Sequence, residues 1–241
     1  MANTVVDLDS ARSVCQQCGI YKLCFPIGLN GGDLDKLDTI IKRRQPLEKG
    51  QYLYQAGEPF RSIYALRSGS LKTYLMSQDG AEHVIGLKMP GDLLGLSAIN
   101  GKQYINSAKA LETSSVCEIP YERLEELGRV IPGLQNHMAG MMSREIQEEQ
   151  EKVAMCSKMP AEARLASVLI TLSERFATRG FSANEFNLSM SRSDIANMLG
   201  LAVETVSRLF THFQDDGLVK VERKHVQILD KGRLAALIKM G

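Results

Sequence analysis

Three thiols stand within ten residues of one another near the start of the chain, Cys15, Cys18 and Cys24 in SVCQQCGIYKLC. Only Cys117 and Cys156 accompany them. Clustered cysteines close disulfides, hold zinc or hold an iron–sulfur cluster. The opening residues MANTVVDLDS lack a basic start followed by an apolar core, so no secretory signal is expected. No apolar run approaches the ~20 residues that span a bilayer. The expectation is a cytoplasmic protein with no membrane partner, where disulfides are rare and clustered cysteines bind metal or do redox work. Spacing alone leaves zinc and an iron–sulfur cluster level. Four thiolates suit either, although structural zinc ligands usually come as close pairs and Cys117 is remote from the other three. Cys156, next to an apolar helical stripe, reads as a buried, inert thiol.

Other chemistry is not evident. His83, His137, His212 and His225 are scattered, and no glycine-rich phosphate loop, acid–base pair or nucleophile–histidine arrangement occurs, so an enzyme is not expected. At 241 residues, with 44% hydrophobic and 24% charged residues, the chain has the size and composition of a soluble protein of two domains. A net charge of +1 neither suggests nor excludes a nucleic-acid partner.

The elements that must carry the thiols change character along the chain. From about Gln45 to Ile119, glycines separate short β-prone runs such as QYLY, SIYAL and SLKTYL, and Asp79-Gly80 favours a tight hairpin. This texture predicts an all-β sandwich or barrel. After Pro120 helix formers take over, with a break at Pro132-Gly133. From Leu134 a long helix is expected, with Met138, Met142, Ile146 and Val153 on one stripe. Glu149 interrupts that apolar seam, and Glu148 beside it is expected to face solvent. A second amphipathic helix is expected over Ala161 to Phe176.

Near the C-terminus, Ser191-Arg192-Ser193-Asp194 has the form of a capping box opening a short helix that stops at Gly200. The next helix, Val203 to Phe213, sets Val206, Leu209, Phe210 and Phe213 on one face. Glu204, Ser207, Arg208 and Thr211 lie on the other, an acceptor, a hydroxyl and a bidentate donor suited to base edges in a major groove. A hairpin turning at Glu222-Arg223-Lys224 follows, so the pattern is a winged helix–turn–helix. Charge does not add to the argument. Arg192, Arg208, Lys220, Arg223 and Lys224 are outnumbered by Glu185, Asp194, Glu204, Asp215, Asp216 and Glu222, which leaves phosphate contacts to hydroxyls and helix N-termini.

A β-rich sensor, a long helix and a winged helix–turn–helix in that order resemble the CRP/FNR superfamily of bacterial regulators, and LAVETVSR (201–208) resembles its recognition-helix motif. The resemblance implies an α+β architecture. Its expected parts are a cluster-binding segment (1–30), a cyclic-nucleotide-binding-like β-barrel or jelly roll (31–130), a dimerisation helix (131–160) and the DNA-binding domain (161–241). Cyclic-nucleotide members carry a glutamate and an arginine where this chain has Leu96 and Asn106, so no cyclic nucleotide is expected. FNR-type members hold an oxygen-labile [4Fe–4S] cluster on three cysteines spaced as Cys15, Cys18 and Cys24 are, with a fourth that Cys117 matches. That resemblance favours the cluster over zinc.

The resemblance also implies a switch. Glu149 opposes its own copy across a dimer seam to which Met142 and Ile146 contribute, and the cluster-free chain stays mostly monomeric. With the cluster intact the homodimer forms and reads palindromic double-stranded DNA of TTGAT-type half-sites through Val203, Glu204, Ser207 and Arg208. Oxygen converts the cluster and releases the DNA. The turn around Gln78 to Ala81 and the region Thr113 to Val116 resemble parts that touch RNA polymerase, and Leu23 resembles a shield for the cluster. The alternative is a zinc-stapled regulator of the same architecture that answers to a small molecule.

Overall fold

The structure, a computed structural model, describes residues 15–24, 29 and 31–239. Helix α1 (Gly31–Ile40) precedes strands β1 (Lys42–Arg43), β2 (Tyr52–Tyr54), β3 (Ser62–Ser68), β4 (Leu71–Met76), β5 (Glu82–Lys88), β6 (Leu93–Leu94), β7 (Ser107–Ala110) and β8 (Ser115–Pro120). Helices α2 (Tyr121–Val130), α3 (Pro132–Lys158) and α4 (Ala161–Thr178) follow. The chain ends in β9 (Glu185–Asn187), α5 (Arg192–Leu199), α6 (Val203–Asp215), β10 (Val219–Glu222), β11 (His225–Ile228) and α7 (Lys231–Lys239).

Strands β1 to β8 form two antiparallel sheets, ordered β1-β8-β3-β6 and β2-β7-β4-β5. They share no strand, so the expected barrel is not closed; the jelly roll is a sandwich with open edges. Strand β3 shows how it is filled. Its residues Ser62 to Leu66 are buried without a break, because both faces are covered, and successive side chains divide between two cores. Tyr64 and Leu66 enter the sandwich interior with Leu53, Leu71 and Tyr104. Ile63 and Ala65 face outward, into a core built with Leu34 and Leu37 of α1, Leu124 of α2, and Ile131 and Leu134 at the root of α3. The β4–β5 hairpin turns at Ser77–Gly80, where Gly80 takes φ +84° and the Ser77 amide donates to the Ala81 carbonyl at 3.0 Å.

The break between α2 and α3 falls at Ile131, and α3, the long helix expected from Leu134, already begins at Pro132. Its stripe divides into two parts. Met138 and Met141 pack against the sensor core and Met142 is half-buried, whereas Ile146 and Val153 are 59% and 70% exposed. The side chain of Cys156 lies outside the described residues, and with it the reading of a buried thiol.

In the C-terminal domain the Ser191–Asp194 capping box is formed, and Gly200 ends α5 in the left-handed conformation at φ 64°. Val206, Leu209, Phe210 and Phe213 of α6 are buried as their spacing requires. The wing is tighter than expected. Glu222 pairs with His225, so Arg223 and Lys224 alone make the turn, with Arg223 at φ 58°. Strand β9 pairs with β11 as a third strand that the sequence had not suggested, and α1 and α7 had no strong apolar period to announce them.

Candidate functional site

The first site lies where the cysteine segment meets the outer sheet. Two 3-10 turns, Cys15–Gln17 and Tyr21–Leu23, coil the segment. They are held by bonds from the Cys18 amide to the Cys15 carbonyl (3.1 Å), the Tyr21 amide to the Cys18 carbonyl (2.9 Å) and the Cys24 amide to the Tyr21 carbonyl (3.3 Å). Such tight turns bring residues three apart onto one side. Cys15, Cys18 and Cys24 thereby line one small recess, together with Ile20, Tyr21, Ile41, Ala65, Arg67, Cys117 and Ile119.

Strand parity supplies the fourth thiol. Val116 points into the sandwich, so Cys117 and Ile119 point outward toward the segment. Cys117 pairs in register with Arg43 of β1 on one side and Ala65 of β3 on the other. Ile119 could have been read from the sequence by counting two along the strand. Ala65, Arg67 and Ile41 are brought there by strand pairing and tertiary contact, for which the sequence carries no signal.

The recess disfavours ionisation of two of these thiols, Cys15 and Cys117. Burial raises the Cys15 pKa to about 12, with the Asp38 carboxylate adding to it by accepting a hydrogen bond from Sγ at 3.3 Å. Burial also raises Cys117, against the pull of Arg43 and Arg67. No three His, Cys, Asp or Glu groups among the described residues are placed to hold a single metal ion. A tetrahedral zinc, with Zn–S bonds of ~2.3 Å, draws its sulfurs almost into contact. Four cysteine thiols on one recess are the donor set that a four-iron cluster takes.

Asn106, which the resemblance sets where cyclic-nucleotide members carry an arginine, sits in a neutral network. Asn106 is 8% exposed. Its Oδ1 accepts from Tyr54 Oη at 3.2 Å and its Nδ2 donates to Ser97 Oγ at 3.5 Å. Tyr54 stacks on Tyr104 with ring centroids 4.0 Å apart.

The second site is the outer face of α6. Val203 is 39% exposed, and Glu204, Ser207 and Arg208 are exposed along the first turns. The Ser207 hydroxyl donates to the Val203 carbonyl at 2.9 Å, which leaves its oxygen lone pairs outward as acceptors. Arg192, counted above among the basic residues of the domain, stacks 3.3 Å from the centroid of Phe210 and joins α5 to α6.

The third is the exposed end of the α3 stripe. Glu149 lies on it and is half-exposed, with Lys152 Nζ 2.6 Å from its Oε1. The cysteine segment and the root of this helix share one core, in which Tyr21 and Cys24 pack with Leu34, Ile131, Leu134 and Met138.

Comparison with known proteins places this arrangement. Residues 163–237 match the family of the Crp-like helix-turn-helix domain and residues 44–129 that of the cyclic nucleotide-binding domain. The chain is 48% identical to the transcriptional activator protein anr of Pseudomonas aeruginosa, over 98% of this chain and 97% of that one. It is 47% identical to the fumarate and nitrate reduction regulatory protein of Salmonella typhimurium, over 92% and 89% of the two chains. Among solved structures, FixK2 from Bradyrhizobium japonicum has the same fold, with a TM-score of 0.76 at 24% identity, over 82% of this chain and 97% of that one. A sandwich sensor, a long helix and a winged helix–turn–helix define a one-component transcription regulator rather than an enzyme. The chain belongs to the CRP/FNR family, within its branch of anaerobic regulators. No helix among the described residues is long and apolar enough to cross a membrane.

Proposed function

We propose that this chain is an oxygen-responsive transcription regulator in which Cys15, Cys18, Cys24 and Cys117 hold a [4Fe–4S] cluster. The observation that carries the reading is the convergence of three thiols from the coiled N-terminal segment and one from β8 on a single recess. Bound there, the cluster supplies an oxygen-reactive centre and takes all four cysteines as thiolates, so loading releases their protons.

The rest belongs to the chain. Ligation at all four sulfurs ties the segment to β8, and the shared core carries that constraint through Tyr21 and Cys24 to Leu134 and Met138 at the base of α3. Leu23 closes the segment against Gly91, beside the recess. On α3, Met142 and Ile146 are the apolar contacts of a homodimer, and Glu149 opposes its own copy across the axis. A dimer poised within a few kcal/mol responds to a small change at the helix root. Two copies of α6 then read a palindrome of TTGAT-type half-sites, with Val203, Glu204, Ser207 and Arg208 toward the bases, and the bound dimer engages RNA polymerase. The Asn106–Tyr54 network speaks against a cyclic nucleotide, since it offers no cation to a phosphate.

A visible spectrum with iron and sulfide assay on protein purified without oxygen tests this. About four irons per chain, a brown colour that bleaches in air, and a fall from dimer to monomer are expected. A colourless, air-stable protein carrying one zinc per chain would overturn it and leave the zinc-stapled regulator.

A further inference from the structure

The reading head is fixed to the sensor sheet by charged contacts that the switch described above does not use. Lys72 of β4 is 8% exposed. Its Nζ lies 2.6 Å from Glu82 Oε2 on β5 and 2.8 Å from Asp194 Oδ1 on α5. A lysine so far from water is costly unless paired. Burial works against both charges, yet the two carboxylates hold Lys72 above its usual pKa, and Lys72 with the Ser191 hydroxyl and amide holds Asp194 below the usual carboxylate range.

Asp194 divides its two oxygens. Oδ2 accepts from the Ser191 amide at 3.0 Å and the Ser191 hydroxyl at 2.6 Å, closing the capping box of α5, while Oδ1 takes the sensor's lysine. One turn on, Asn197 Oδ1 accepts from the Val84 amide at 2.6 Å, and its Nδ2 donates to the Glu82 carbonyl. Strand β5 is an edge of its sheet, so α5 occupies the edge where a further strand would lie. A second clamp holds α4. Asp92 pairs with Arg175 and with Arg179 (2.8 Å), and Arg175 donates to the Leu87 carbonyl at 2.8 Å.

We propose that Lys72 is a positioning residue for DNA recognition, setting through Asp194 the angle at which α6 is presented and hence the half-site spacing a dimer accepts. The proposal rests on the DNA-binding reading above. Two recognition helices must meet major grooves about one helical turn, ~34 Å, apart. With α4 held by Asp92, the clamp on α5 is what prevents the head from pivoting. Releasing it widens the range of spacings tolerated without altering the base-reading face.

The test uses full-length protein prepared without oxygen and duplexes with two TTGAT half-sites at the preferred spacing and at one base pair more or less. Lys72→Met keeps the stem and removes the charge. It is expected to bind the preferred duplex about tenfold more weakly and to lose most of the discrimination between spacings. Base preference within each half-site should stay unchanged. Hydrogen exchange at the Val84 amide, read without DNA, should quicken, and Lys72→Arg should restore both properties. Wild-type discrimination between spacings in Lys72→Met would overturn the proposal. Should that variant not fold, Asp194→Asn, which retains the cap acceptor, must show the same compressed discrimination; a wild-type ratio there overturns it equally. A wild-type chain that binds none of the duplexes overturns the DNA reading itself.

Discussion

Glu149 and Lys152 form an ion pair on the exposed end of α3, and the same ammonium reaches the Ile85 carbonyl of the sensor sheet at 3.3 Å. The carboxylate that interrupts the proposed dimer seam is therefore partly neutralised within its own chain, by a lysine tethered to β5. Like charges brought together at an interface cost several kcal/mol, less wherever water or a counter-charge reaches them.

Replacing Glu149 by alanine is expected to strengthen dimerisation in air by at least tenfold, equivalent to ~1.4 kcal/mol. Lys152→Ala should act in the opposite direction, because it leaves Glu149 unneutralised. Sedimentation velocity on aerobic protein at several concentrations distinguishes the two. An aerobic monomer for Glu149→Ala would refute the gate.

The thiols give a pH-dependent prediction. In the cluster-free chain Cys15 ionises only near pH 12 and Cys117 above the usual thiol value, so both are neutral at pH 8. Only thiolates alkylate readily. Iodoacetamide labelling of these two, followed by mass spectrometry, should be slow at pH 8 and rise as pH approaches each raised pKa. Asp38→Asn removes the carboxylate beside Cys15 and should quicken its labelling at a given pH.

Gly91 adopts φ +98°, and a Cβ there would lie 2.9 Å from the Leu23 Cβ and 3.0 Å from the Leu23 carbonyl oxygen. Gly91→Ala therefore combines backbone strain of ~1–3 kcal/mol with displacement of the cysteine segment. Lower thermal stability by several degrees and faster alkylation of Cys24 are the expected readouts.

Arg208 is exposed on the base-reading face, suited to guanine O6 and N7. Arg208→Ala should cost ~1–3 kcal/mol and relax preference at one base pair. A selection from randomised duplexes that returned an unchanged consensus would remove Arg208 from the interface.

Much of this was open to reading in the chain itself. The helix–turn–helix follows from local rules: Ser191 and Asp194 cap, Gly200 turns, and Val206, Leu209, Phe210 and Phe213 repeat at helical spacing. Local rules suffice because neighbours a few residues apart decide those features. The cysteine spacing and the α3 stripe with its intruding Glu149 were visible for the same reason.

Tertiary structure decided what depends on residues far apart in sequence. Which way Cys117 points was settled by strand register, since a one-residue slip would have turned it into the sandwich in place of Val116. The open sandwich, rather than a closed barrel, depended on which strands pair. Nothing near Lys72 in the sequence marks it as buried; its partner Asp194 lies on another domain, and docking of α5 on β5 removes it from water. The sequence by itself determined the parts and their order, because backbone propensity and side-chain periodicity act locally. How the cysteine segment, α3 and the reading head bear on one another was decided by long-range packing and buried charge pairs, which no spacing along the chain encodes.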